Sequence, residues 1–276
     1  MSTFLQRLFP PRPTRPIVPP GLYHQMSAEP PAPPRRLHLR VEPDGRGLLI
    51  VNASTVLHLN ETATAFAWQF VQGKSEDEAA AWIAGLYRLT RGRARRDARL
   101  LRDQIQSIAE GDNLDPVLVM GLERTEPHQA RPSAPYRLDM ALTYRLADGR
   151  SMDPLARRRV DRELTTDEWT SVLDQAWALG IPHVVFVGGE PTVRPDLIDL
   201  IRHAEQLGQV SGVVAAGKAL AAPGRLEALS AAGLDHLLVV VDPASKESLE
   251  GLRLGVQCEV FCAAHLTVEP TDLAAL

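Results

Sequence analysis

The chain has two cysteines in 276 residues, Cys258 and Cys262, too few for a disulfide framework. It has no apolar run approaching the ~20 residues that cross a bilayer. Its N-terminus, MSTFLQRLFPPRP, lacks the apolar core and cleavage site of a secretory signal. Charge of one sign is also scarce: the net charge of −4 and pI near 6.1 give no global attraction to nucleic acid or membrane surfaces. None of the eight histidines stands in H-x3-H spacing, so no metal site is expected. These absences make the cytoplasm the expected location. No nucleic-acid partner and no membrane span are expected.

Proline is abundant, and ten of the 22 fall between Pro10 and Pro34. Proline fixes φ and removes a donor, so residues 1–36 read as an extended arm lying along its own protein. From Leu37 the texture changes. Leu37, Leu39 and Val41 alternate with polar residues, Leu48–Val51 follows a turn, and Thr55–Leu59 follows another. The period of two predicts a three-stranded antiparallel meander. Three amphipathic helices follow, carrying Ala63/Phe66/Ala67/Phe70, Ala79/Trp82/Ile83/Leu86 and Ala94/Ala98/Leu101/Ile105 on single faces. Ser75 and Glu78 stand at capping-box spacing. This unit runs over 37–111, and a proline-punctuated linker over 112–135 leads to a second unit at 136–276.

There, near-continuous apolar strands alternate with helices: Arg137–Tyr144, His183–Val187, Val210–Ala215, His236–Val241 and Cys258–Leu266. Five βα repeats predict a parallel sheet covered by helices. The fold class is therefore α/β, with a small α+β unit first and a partial (β/α) barrel of five parallel strands second.

Two stretches carry a resemblance. Leu48–Ala63, LLIVNASTVLHLNETA, with the helices after it, resembles PqqD-like winged-helix-like domains, which bind leader peptides by strand addition. That resemblance implies a peptide-binding edge at Thr55, Val56 and Leu57. Arg95 and Arg99 on the arginine-rich third helix are candidate contacts to an acidic peptide, against the plainer reading of a solvated helix back. Arg137–Arg145, Leu164–Trp169 and Gly188-Gly189-Glu190-Pro191-Thr192 resemble the first strand, first helix and GGEP loop of radical SAM proteins. In that family the loop holds the amino group of S-adenosylmethionine, which the resemblance implies for Gly188, Gly189, Glu190 and Pro191.

Where the family carries C-x3-C-x2-C after Tyr-Arg, this chain has Leu146, Arg150 and Asp153. The expectation from this departure is no [4Fe–4S] cluster, no cofactor, and no catalytic residue. The leading reading is thus a non-catalytic accessory or scaffold protein binding a peptide or protein partner in ribosomal-peptide or peptide-derived cofactor maturation. Two others stay open: an active radical SAM peptide-modifying enzyme using a partner's cluster, and a structural subunit of a larger assembly or oligomer. Cys258 and Cys262, four apart on one strand, read as buried strand thiols. The edge strand they occupy is expected to be covered by the arm, the first unit or another chain.

Overall fold

The computed structural model describes residues 16–27, 35–52, 55–87, 89–110, 133–148, 162–258 and 260–267. The chain divides into two compact units, Met1–Ser133 and Ala134–Leu276.

The first unit is a four-stranded antiparallel sheet in the order β1 (Gly21–Ser27), β2 (Arg35–Val41), β3 (Gly47–Val51), β4 (Thr55–Leu59), followed by helices α1 (Glu61–Val71), α2 (Glu76–Tyr87) and α3 (Arg91–Glu110). The expected three-stranded meander is thus one strand short. Gly21–Ser27, read as part of the proline arm, pairs along its whole length with β2, Gly21 opposite Val41 and Ser27 opposite Arg35. The prolines flank this segment and do not enter it, so its donors remain free for a ladder. Alternate residues Leu37, Leu39, Leu49, Val51, Leu57 and Leu59 face the helices and pack with Phe66, Phe70, Ile83 and Leu101.

Asn60 caps α1 by accepting from the Ala63 amide, and Ser75 and Glu78 cap α2 reciprocally. Asn52 ends β3 at φ 49°, in the left-handed region that asparagine tolerates. Its Oδ1 accepts from the Arg36 amide and its Nδ2 donates to the Ala109 carbonyl. One turn residue therefore ties β2, β3 and the end of α3 together.

The second unit is a parallel sheet in the order β5 (Arg137–Thr143), β6 (His183–Gly188), β7 (Val210–Ala216), β8 (His236–Val241), β9 (Phe261–Leu266). Its helices are α4 (Thr166–Ala178), α5 (Leu197–Leu207), α6 (Gly217–Leu220), α7 (Arg225–Ala231) and α8 (Lys246–Gln257). The strand order follows the chain order, as expected for a partial (β/α) barrel. Val184, Phe186, Val213, Ala215, Leu237 and Val239 form the core with Leu173, Leu200, Ile201 and Leu229 from the helices. The side-chain period of two puts His183, Val185, Gly212 and His236 on the opposite face.

One expectation is corrected at the last strand. β9 begins at Phe261, and Cys258 instead ends α8, so the two thiols do not share a strand. Both pack partly buried against the core, and burial pushes both thiols up, Cys262 further by the charge of Cys258 and Cys258 by that of Glu227. On β9, Phe261 is 53% and Leu266 46% exposed. Among the described residues no helix is long and apolar enough to cross a membrane.

Candidate functional site

In a parallel sheet, loops beyond the carboxyl ends of the strands gather ligands. At that end, β6 runs into Gly188-Gly189-Glu190 and a short 3₁₀ turn, Pro191–Val193. The Gly189 amide donates to the Thr143 carbonyl and the Glu190 amide to the Arg145 carbonyl, so the loop is bolted to the end of β5. A Cβ at Gly188 would stand 2.3 Å from the Thr143 carbonyl oxygen, and one at Gly189 2.2 Å from that of Arg145. Gly188 also sits at φ 129°. The glycines are therefore required by the close approach of β5.

Glu190 is 2% exposed. Its Oε1 accepts from the Thr192 amide at 3.2 Å and the Thr192 hydroxyl at 2.6 Å; its Oε2 accepts from the Ala216 amide at 2.8 Å, at the end of β7. The carboxylate thus joins β6 to β7 and caps the turn at Pro191. A carboxylate has about four acceptor positions, and three are taken. One remains for a further donor such as an ammonium group.

Around this loop is a charged frame that sequence reasoning missed. Glu163 accepts from the Thr143 hydroxyl at 2.5 Å and the Tyr144 amide at 3.2 Å, and pairs with Arg145 and Arg194. Burial opposes its charge, but these hydrogen bonds and cations prevail and hold its carboxyl below the usual range. Arg194 is buried and donates to the Leu142 and Leu164 carbonyls and, through two nitrogens, to Asp196. The Arg194 hydrogen bonds hold the Asp196 carboxyl low against its own burial, with help from Thr166. The signal available in the sequence was Arg194-Pro-Asp196 directly after the loop, a spacing that lets a guanidinium and carboxylate meet two residues apart.

Of the residues that stand where the resembled family carries its cluster cysteines, Leu146 is described and its side chain offers no donor atom; Arg150 and Asp153 lie outside the described residues. In the first unit, Thr55, Val56 and Leu57 lie on β4, which pairs on one side with β3 and ends the sheet. Val56 is 50% exposed there while Leu57 is in the core. Arg95 and Arg99 are engaged within their own unit: Arg95 pairs with Asp77 at 2.9 Å and Arg99 with Glu76 at 3.3 Å, both in the first turn of α2. Arg102 donates to the Lys74 carbonyl and lies over the Phe70 ring.

Comparison with known proteins adds the following. A PqqA peptide cyclase of Gluconobacter oxydans is 41% identical over 140 residues, covering 49% of this chain and 38% of the relative. One of Ruegeria pomeroyi is 42% identical over 138 residues, covering 48% and 37%. The chain therefore spans less than two fifths of these curated relatives. Among solved structures, Streptococcus suis SuiB bound to S-adenosylmethionine is similar with a TM-score of 0.48 and 16% identity, over 87% of this chain and 57% of that one. SuiB bound to precursor peptide SuiA gives 0.47 and 14%, over 86% and 57%.

These relatives correct two expectations. A non-catalytic accessory protein is not what they are, since they are named as peptide cyclases. The expectation of no cofactor and no [4Fe–4S] cluster also gives way, because residues 144–255 match the Radical SAM superfamily, whose members use both S-adenosylmethionine and the cluster. The residues present fit the two groups unequally. Glu190 retains an acceptor position for an ammonium group, whereas the stretch after Tyr144-Arg145 has no cysteine to supply thiolates. Residues 144–255 match the Radical SAM superfamily, and the homology to PqqA peptide cyclases extends over about half of the chain.

Proposed function

We propose that this chain works in a radical SAM peptide-modifying enzyme, binding S-adenosylmethionine at Gly188–Pro191 in its second unit and an extended peptide at the β4 edge of its PqqD-like first unit. The observation that carries this reading is the buried Glu190 carboxylate. It is fixed between β6 and β7 at the ligand-gathering end of the sheet, with one acceptor position left. Kinship with the peptide cyclases supports a peptide as the substrate class. The exposed side of β4 supports strand addition, where main-chain hydrogen bonds supply affinity. The thiolates for the cluster come, in this reading, from a partner protein. The bound cofactor would supply the radical chemistry; the residues of this chain orient the methionyl end of S-adenosylmethionine and hold the peptide.

The test is equilibrium dialysis of S-adenosylmethionine against the full chain and its Glu190→Gln variant. Removing the charge is expected to weaken binding at least tenfold, because a neutral amide loses the charge-assisted bond to the ammonium (~1.5–3 kcal/mol). In parallel, hydrogen exchange with PqqA peptide should slow the amides of Thr55–Leu59. Equal affinity in both proteins, or no binding in either, refutes the cofactor assignment; unchanged exchange refutes the peptide assignment.

A further inference from the structure

The turn that carries Glu190 is braced from outside its own strand. Arg225, the first residue of α7, donates from Nη1 to the Thr192 carbonyl at 2.7 Å. Thr192 in turn supplies two of the three donors on Glu190, its amide and its hydroxyl, both to Oε1. The third is the Ala216 amide on Oε2, at the start of the connection from β7 to α7. That connection therefore grips the turn twice, once at the carboxylate and once through Thr192. Behind the turn lies a cavity of about 320 Å³, lined by Val193, Pro195, Leu197 and Pro223, with Thr192 and Arg225 on its wall. A hydrogen bond, rather than close packing, spans the gap from α7. Arg225 also stands where a helix favours anions, since a cation in the first turn opposes the macrodipole. Such a conflict between residue and helix is expected where a contact outside the helix compensates for it.

The last torsion of a glutamate is broad and roughly two-fold, so it does not by itself aim the carboxylate. Each carboxylate oxygen accepts about two bonds. Oε1 is therefore filled by Thr192, and the open position is on Oε2. Its direction depends on where Thr192 stands. We propose, resting on the assignment of Glu190 to the ammonium group of S-adenosylmethionine, that Arg225 is the positioning residue of that site: by fixing Thr192 it aims the open lone pair on Oε2. Arg225 acts only through Thr192 and Glu190. A lysine at its place can still donate to the Thr192 carbonyl, as a point charge in place of a planar fork.

The experiment uses the full chain as wild type, Arg225→Ala, Arg225→Lys, Glu190→Gln and the Glu190→Gln/Arg225→Ala double variant. Equilibrium dialysis reads S-adenosylmethionine affinity. Amide hydrogen exchange of the cofactor-free protein reads Thr192, with Val213 in the core of β7 as the reference. Arg225→Ala is expected to speed exchange at Thr192 about fivefold and leave Val213 unchanged. It is expected to weaken S-adenosylmethionine about three- to tenfold, the range of one lost hydrogen bond. Arg225→Lys should return to within about twofold of wild type. In the Glu190→Gln background Arg225→Ala should add nothing, because the two residues act as one unit. Arg225→Met, which keeps an apolar stem without a donor, gives the same comparison if Arg225→Ala does not fold. Wild-type affinity in the Arg225 variants, with Glu190→Gln weakened, overturns the role of Arg225 and leaves the cofactor assignment standing. An equal loss in both backgrounds also overturns it, since a residue that merely supports the fold would behave so. No difference between wild type and Glu190→Gln instead overturns the cofactor assignment, and the positioning role with it.

Discussion

Lowering the pH should destabilise the second unit through His183 and His236, and the size of the effect can be worked out. Burial, then the nearby positive charges of His236 and Arg137, push His183 down from 6.5 to about 3, with Asp139 opposing. Burial and then Arg137 push His236 down to about 4, again against Asp139. Both folded values lie below the unfolded one, so the unfolded chain binds more protons between pH 6.5 and about 3. Stability is full above pH 6.5 and is lost progressively as pH falls through that window. At ~1.36 kcal/mol per pH unit, one such histidine forfeits about 2 kcal/mol by pH 5 and two forfeit about 4. Partial exposure and the hydrogen bond between the two Nε2 atoms bring the pair to roughly 3 kcal/mol. Urea unfolding at pH 7, 6 and 5 measures this directly, comparing the wild type with the His183→Gln/His236→Gln variant. The variant should lose most of the pH slope. An unchanged slope would place the acid sensitivity elsewhere and refute the reasoning.

Gly189→Ala should destabilise the protein by more than about 3 kcal/mol, since its Cβ meets the Arg145 backbone, which cannot rotate away; thermal unfolding checks it. Asn52→Ala should lose about 2 kcal/mol from two part-buried hydrogen bonds and a left-handed φ, and Asn52→Gly should restore only the backbone share. Reversing Arg95 and Arg99 to Glu together should lower stability by only about 1–2 kcal/mol, because both pairs with α2 are exposed on the arginine side. A larger loss in chemical denaturation would mean that the α2–α3 contact depends on these charges.

Local signals were legible in the sequence where the physics is local. Thr165 and Glu168 form the capping box their spacing announces, Ser75 and Glu78 do the same, and the apolar runs at His183, Val210 and His236 are strands. What was illegible depends on neighbours distant in the chain. β1 hides between prolines because strand pairing, not composition, makes Gly21–Ser27 a strand. Cys258 and Phe261 divide between helix end and strand because α8 runs on to Gln257, which no breaker in the sequence marks. His183 and His236 read as ordinary strand-boundary residues, 53 positions apart. Only the order β6-β7-β8, with glycine in the middle strand, sets them nitrogen to nitrogen.

The same topology keeps the histidine pair apart from the Glu190 loop. His183 opens β6 and Glu190 lies just beyond its end, seven residues on. At ~3.3 Å per residue the two groups stand roughly 20 Å apart, at opposite ends of the sheet. Substitution at the histidines does not touch the hydrogen bonds from Thr192 and Ala216 that fix Glu190. Sites this far apart with no shared partners are expected to behave additively. S-adenosylmethionine binding should therefore be indifferent to His183→Gln. Weaker S-adenosylmethionine binding in His183→Gln would mean that the strands transmit a shift along their length. The rigid bolting of Gly189 to β5 argues against such a shift, because the loop is held by Thr143 and Arg145 at the carboxyl end of the sheet alone.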